Sequence, residues 1–176
     1  MNSPKIVFLC GARDYHAMDW YHSAKNVLSD TNISILTDLI TGEGFEKIIN
    51  DEDNVEKLII IDKLLFGHQS RLGNLWRNLI KLLLLPLQVQ LLKKHHSKNP
   101  DALYYAHSMY YLWLAYFAKV KFIGTPQGSD ILIKPFKSFF YKYLSVRALR
   151  SALFVTVDSQ QMCDKCNEIS KVKPFI

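Results

Sequence analysis

The chain has 176 residues, 49% of them hydrophobic and 22% charged, which excludes an intrinsically disordered segment and suits one domain with its own core. Its formal charge of +6 favours anionic partners without choosing among nucleic acid, phospholipid headgroups and phosphorylated substrates. Three cysteines, Cys10, Cys163 and Cys166, do not make a secreted disulfide framework and indicate a reducing compartment.

Met1 to Lys5 lacks the apolar stretch and cleavage site of a signal peptide, so the expected location is cytoplasmic. Lys5–Cys10 is a short apolar run stopped by Gly11, the pattern of a strand buried on both faces. Beyond the polar loop Gly11 to His16, apolar residues at 17, 21, 24, 27 and 28 fall on one helical face. Ile33–Thr37 reads as the second strand, 42–57 as a loop with room for one helical turn, and Lys57–Ile61 as the third strand. A long helix is expected over 73–96, kinked at Pro86 and ended by Asn99-Pro100. Its most apolar part, Leu79 to Leu92, is interrupted by Lys81, Pro86, Gln88 and Gln90 and is too short to span a bilayer. Then come a strand at Ala102–Ala106, a helix at Tyr110–Ala118, a strand at Lys121–Gly124, a helix at Lys137–Arg150 and a strand at Leu153–Val157. Ser159 is a good N-cap for a last helix reaching Ser170. Val172 to Ile176 breaks off inside a strand-like stretch, so a chain cut before the domain's natural end is expected. The alternation predicts an α/β, Rossmann-like three-layer sandwich with a mostly parallel sheet of six to seven strands, one domain over 1–176.

Open α/β sheets bind ligands beyond the carboxyl ends of their strands. Candidate site residues are therefore Gly11, Arg13, Asp14, His16 and Asp19 after the first strand and His107 after the fourth. Gln127, Gly128, Ser129 and Asp130 follow the fifth, and Asp158 and Ser159 the sixth. Each has a structural reading too: Asp14, Ser108, Asp130 and Ser159 are good helix caps, Gly11 can simply end a strand, and His107 can be a satisfied core histidine. The chain has no GxGxxG, GxxxxGK[ST] or GxSxG, so ordinary dinucleotide, P-loop and serine-hydrolase readings lack support. Cys163-Asp-Lys-Cys166 falls inside the last helix without a second ligand pair, so neither a redox motif nor a zinc site is expected. No metal or other cofactor is expected.

Phe122-Ile-Gly-Thr-Pro-Gln-Gly-Ser-Asp-Ile-Leu132, followed by Phe154-Val-Thr-Val-Asp-Ser-Gln-Gln-Met162, resembles the retaining glycosyltransferases of family 4, which have the two-domain GT-B fold. The motif match covers roughly thirty residues, and the strand–helix layout covers most of the chain. Gln127 stands where the family pattern often has histidine. The resemblance implies the N-terminal, acceptor-side domain of a glycosyltransferase of hexosyltransferase type, as in polysaccharide biosynthesis. The donor-binding C-terminal domain is absent from this chain, and the fragment alone is expected to be inactive. The partners implied are a nucleotide-sugar donor and a glycan or lipid-linked acceptor. His107 is the best candidate for contacting the reacting sugar, with Asp14, His16 and Asp130 lining the acceptor side. The amides of Gly11 and Ala12 are candidates for approaching a donor diphosphate.

Residues 134–150 interleave basic residues with aromatics, as helices in a bilayer interface do, so peripheral contact with an anionic membrane is a second expectation. The alternatives are a non-catalytic Rossmann-like binding module and another nucleotide-sugar enzyme such as an epimerase. A nucleic-acid partner is not expected, because the positive residues are scattered and no binding motif is present.

Overall fold

Side chains along the first strand, β1 (Ile6–Cys10), alternate between two cores. Val7 and Leu9 point into one cluster, Phe8 and Cys10 into another, and all four are essentially inaccessible to water. Only a strand covered on both faces needs apolar residues at successive positions.

The computed structural model describes residues 5–28, 31–48, 54–65 and 71–176. After β1 come α1 (Tyr15–Val27), β2 (Ile33–Thr37), α2 (Glu43–Ile48), β3 (Val55–Lys57) and a single 3-10 turn at Ile61–Leu64. They are followed by α3 (Arg71–Lys98), β4 (Leu103–His107), α4 (Met109–Ala118), β5 (Phe122–Thr125), α5 (Gly128–Leu132) and α6 (Lys134–Lys137). The chain finishes with α7 (Phe139–Ser151), β6 (Phe154–Val155) and α8 (Gln160–Ser170). The six strands form one parallel sheet in the order β3-β2-β1-β4-β5-β6. The α/β class and the parallel sheet are thus as the sequence implies. Ala17, Met18 and Tyr21 of α1 cover one face. The larger core lies on the other, where Val89 and Leu92 of α3, Leu112 and Leu114 of α4, and Leu149 of α7 meet β1, β4 and β5.

Several elements differ from the sequence reading. The third strand lies at Val55–Lys57, earlier than the apolar run Lys57–Ile61 suggests. Its place is set by backbone pairing with Ile35–Thr37, after which Ile61 is buried from the 3-10 turn instead. Within 42–57, expected to be largely loop, α2 forms. Helix α3 spans Arg71–Lys98 with Pro86 inside it, a little longer at each end than the 73–96 expected. The helix expected at Lys137–Arg150 is α7, which starts two residues later because Ser138 leaves the helical conformation and caps it, its Oγ accepting from the Tyr141 amide at 3.2 Å; the short α6 before it was not expected. Phe175 makes a parallel bridge with Thr156, so the strand-like C-terminal stretch does join the edge of the sheet.

Candidate functional site

The chain runs outward from β1 to β3 on one side and resumes at β4 on the other, so the order reverses between β1 and β4. At such a switch point the loops diverge and leave a crevice at the carboxyl ends. Because every pairing is parallel, the turns after β1, β4, β5 and β6 share that edge.

Packing fixes the first turn. A Cβ on Gly11 would lie 2.8 Å from the Tyr111 hydroxyl and 3.2 Å from Leu39, so no larger residue fits without displacement. The following amides are committed internally. Ala12 N donates to Thr37 Oγ1 at 2.9 Å, Arg13 N to Leu39 O at 3.0 Å and Asp14 N to Gly11 O at 2.8 Å. The expected use of the Ala12 amide for a diphosphate is therefore corrected, since Thr37 already occupies it. An anion here cannot draw on the Ala12, Arg13 or Asp14 amides.

Asp14 and Asp130 tie the turns together. Asp14 accepts from His16 N at 3.1 Å as the cap of α1 and also accepts from Gln127 Nε2. Asp130 is buried and accepts from Met109 N at 2.8 Å, Gln127 N at 3.1 Å, Lys134 Nζ at 2.7 Å and Tyr141 OH at 2.9 Å. With four donors satisfied, it acts as a clamp between the turns after β4 and β5. Ser108, between β4 and α4, sits at φ 73°, ψ 151°, a region that residues with a Cβ rarely occupy.

His107 is 3% exposed at the end of β4. Burial lowers its pKa, the charges of Asp14, Asp158 and Asp130 oppose that shift, and His16 reinforces it. The sequence candidates from all four turns therefore lie within electrostatic reach of one imidazole. Asp158, His16 and Ser129 are exposed, as is Asp19, which lies further along α1. Ser159 caps α8, with its Oγ accepting from Met162 N at 3.4 Å, and Gly128 opens α5.

Beside this rim lies a cavity of about 800 Å³, bounded by the β1 turn, α3, α4 and the α6–α7 region. Gly11, Arg13, Asp14, Gln127 and Asp130 line it, whereas His107 does not. Five basic side chains (Arg13, Arg77, Lys81, Lys134 and Lys137) face two carboxylates, Asp14 and Asp130. Behind it is a polar network that the sequence reading missed. Asp38, fully buried, accepts from the Tyr111 hydroxyl and from Gln88 Nε2 at 3.3 Å, and lies 3.5 Å from Lys81 Nζ. Lys81 also donates to Tyr111 OH at 3.0 Å, and Tyr110 OH donates to Gln88 at 2.6 Å. Burial lowers the Lys81 pKa, while Asp38 holds it up. The only sequence trace of this wall is Arg77 and Lys81 four apart in a leucine-rich helix.

Cys163 and Cys166 are free and buried in α8. Among the described residues, no cluster of three or more His, Cys, Asp or Glu could hold a metal, and no helix is long and apolar enough to cross a membrane.

No protein-family model matches this sequence, and no curated protein sequence does either. Solved structures do match its fold. A sucrose-phosphate synthase from Thermosynechococcus elongatus superposes with a TM-score of 0.64 at 12% identity, over 98% of this chain and 47% of its own. A UDP-N-acetylglucosamine 2-epimerase gives 0.62 at 8% identity, over 94% of this chain and 45% of its own. S. aureus MnaA in complex with UDP gives 0.56 at 9% identity, over 96% of this chain and 42% of its own. The fold is Rossmann-like, as in the matched parts of these structures, and the chain spans less than half the length of each of them.

Proposed function

We propose that this chain is the acceptor-side domain of a retaining glycosyltransferase of family 4 type. It would transfer a hexose from a nucleotide-sugar donor to a glycan or lipid-linked acceptor, as in polysaccharide biosynthesis. The observation that carries the reading is the switch-point cavity, whose volume suits a sugar-sized ligand and whose lining draws on the turns after β1, β4 and β5. The similar structures add support, since one is named for UDP-N-acetylglucosamine and another holds UDP. A donor-binding domain, in the same polypeptide or in a partner, would close over the rim.

In this reading His107, at the end of β4 and not itself part of the cavity lining, is the residue assigned to the reacting sugar. Its lowered pKa keeps it neutral at pH 7, able to hydrogen-bond a sugar hydroxyl without adding a buried charge. Asp14 and Gln127 hold two turns in register, and Asp130 fixes a third. Leu82, Leu85 and Phe140 line the cavity, which favours an acceptor with an apolar portion.

The test is transfer of labelled sugar from UDP-, ADP- and GDP-sugars to lipid-linked or glycan acceptors by the full polypeptide. Transfer with retention is expected, and His107→Ala should lower turnover by about 100-fold or more. Unchanged turnover would remove His107 from the site. Epimerisation of UDP-N-acetylglucosamine without transfer would favour the epimerase alternative.

Membrane contact is proposed for the same side of the domain. Phe136, Phe139 and Phe140 are 52%, 85% and 62% exposed beside Lys134, Lys137 and Lys142, and rings of this kind enter a bilayer interface while cations stay at the headgroups. Phe139→Ser with Phe140→Ser should abolish flotation with anionic liposomes; absence of flotation by the unaltered protein at low salt ends the idea.

A further inference from the structure

The cations of the cavity are unevenly partnered. Lys81 has Asp38 at 3.5 Å, and Arg13 has Asp62 at 3.8 Å. Arg77 lies one turn before Lys81 on α3, half-buried against the cavity, and its side chain has neither ion pair nor hydrogen bond among the described residues. Burial lowers the Arg77 pKa and Arg13 lowers it further, against the opposing pull of Tyr111, Asp38 and Asp14; Arg77 and Arg13 also push down on Lys81, which Asp38 holds up. A partly desolvated guanidinium beside two other cations is unfavourable unless an anion completes it.

We infer that this wall is the seat of a phosphate group on the acceptor, held by the Arg77 fork with Arg13 and Lys81 supplying the remaining charge. The identity of the phosphate-bearing molecule rests on the acceptor-side reading, whereas the phosphate itself follows from the cations. Since the amides of Ala12, Arg13 and Asp14 are already engaged, recognition falls to side chains. A phosphomonoester carries close to two negative charges at neutral pH and matches several cations, and a guanidinium can bind two of its oxygens at once. The phosphate can belong to a soluble ester or to a lipid headgroup.

Calorimetric titration of the chain with inorganic phosphate, glycerol 3-phosphate and neutral glycerol tests the seat. Vesicles of phosphatidylcholine with and without phosphatidic acid form a second arm. Saturable binding of phosphate and its ester, but not of glycerol, is expected. Arg77→Gln should weaken it by about tenfold or more, and Arg77→Lys by less, because charge survives without the fork. Neither variant should melt at a lower temperature in phosphate-free buffer, since each relieves crowding among like charges or leaves it unchanged. Arg77-dependent binding to phosphatidic acid vesicles alone would assign the phosphate to a lipid and keep the seat. No binding in either arm, or binding undiminished in Arg77→Gln, overturns it. Phosphate binding without sugar transfer would sink the proposed activity and not the seat, and transfer without phosphate binding the reverse.

Discussion

Ser108 adopts a backbone conformation, φ 73° and ψ 151°, that costs a residue with a Cβ about 1–3 kcal/mol. Its neighbours hold it there: Ser108 N donates to Thr125 O at 2.8 Å, and the next amide, Met109 N, donates to Asp130 at 2.8 Å. Ser108→Gly should relieve the strain, offset in part by about 0.5–1 kcal/mol of added chain freedom. A melting temperature raised by roughly 3 °C is expected for a domain of this size. A lowered one would mean that the hydroxyl matters more than the backbone. His107 carries a second residue-scale prediction. Its folded pKa lies below the unfolded value of about 6.5, so below that pH the unfolded chain binds a proton that the folded chain resists. The stability concerned is fully present above the unfolded value and is lost as pH falls towards the folded one. His107→Gln should flatten the decline in melting temperature between pH 7 and pH 5; parallel curves would contradict the assignment.

At the scale of elements, Pro86 leaves an unusual feature. It is exposed within α3, where it removes one backbone hydrogen bond from an otherwise continuous helix. With little packing to lose, Pro86→Ala should raise the urea midpoint, with a gain of about 1–3 kcal/mol. A lower midpoint would show that the proline shapes α3 for its contact with α4. Elements whose limits are set locally were legible in the sequence. Ile33–Thr37 is the strand expected, and Ser159 caps α8 as expected. The third strand was not, because it lies at the edge of the sheet and pairs only with β2, so register, not its own apolar run, decides where it lies. The short helix α6 was also missed: four residues, with Pro135 near its start, are too few to show a helical period.

For the molecule as a whole, the alternation of strands and helices made the parallel sheet legible, and with it the edge on which the candidate turns meet. It could not reveal the cavity wall. Asp38, Gln88 and Tyr111 are 50 and 73 residues apart in their pairings, so no local pattern links them. Arg77, in a leucine-rich helix, has no neighbouring pattern in the sequence that would mark it as part of a cavity wall. The central claim is that the crevice between β1 and β4 receives the sugar substrates. The most direct measurement is amide NMR of the chain with UDP-glucose and glucose 6-phosphate present together. The account predicts that shifts gather at Gly11, Arg13, Arg77, Ser108 and Gln127. Shifts confined to the amino ends of the strands, or none at saturating ligand, would contradict it.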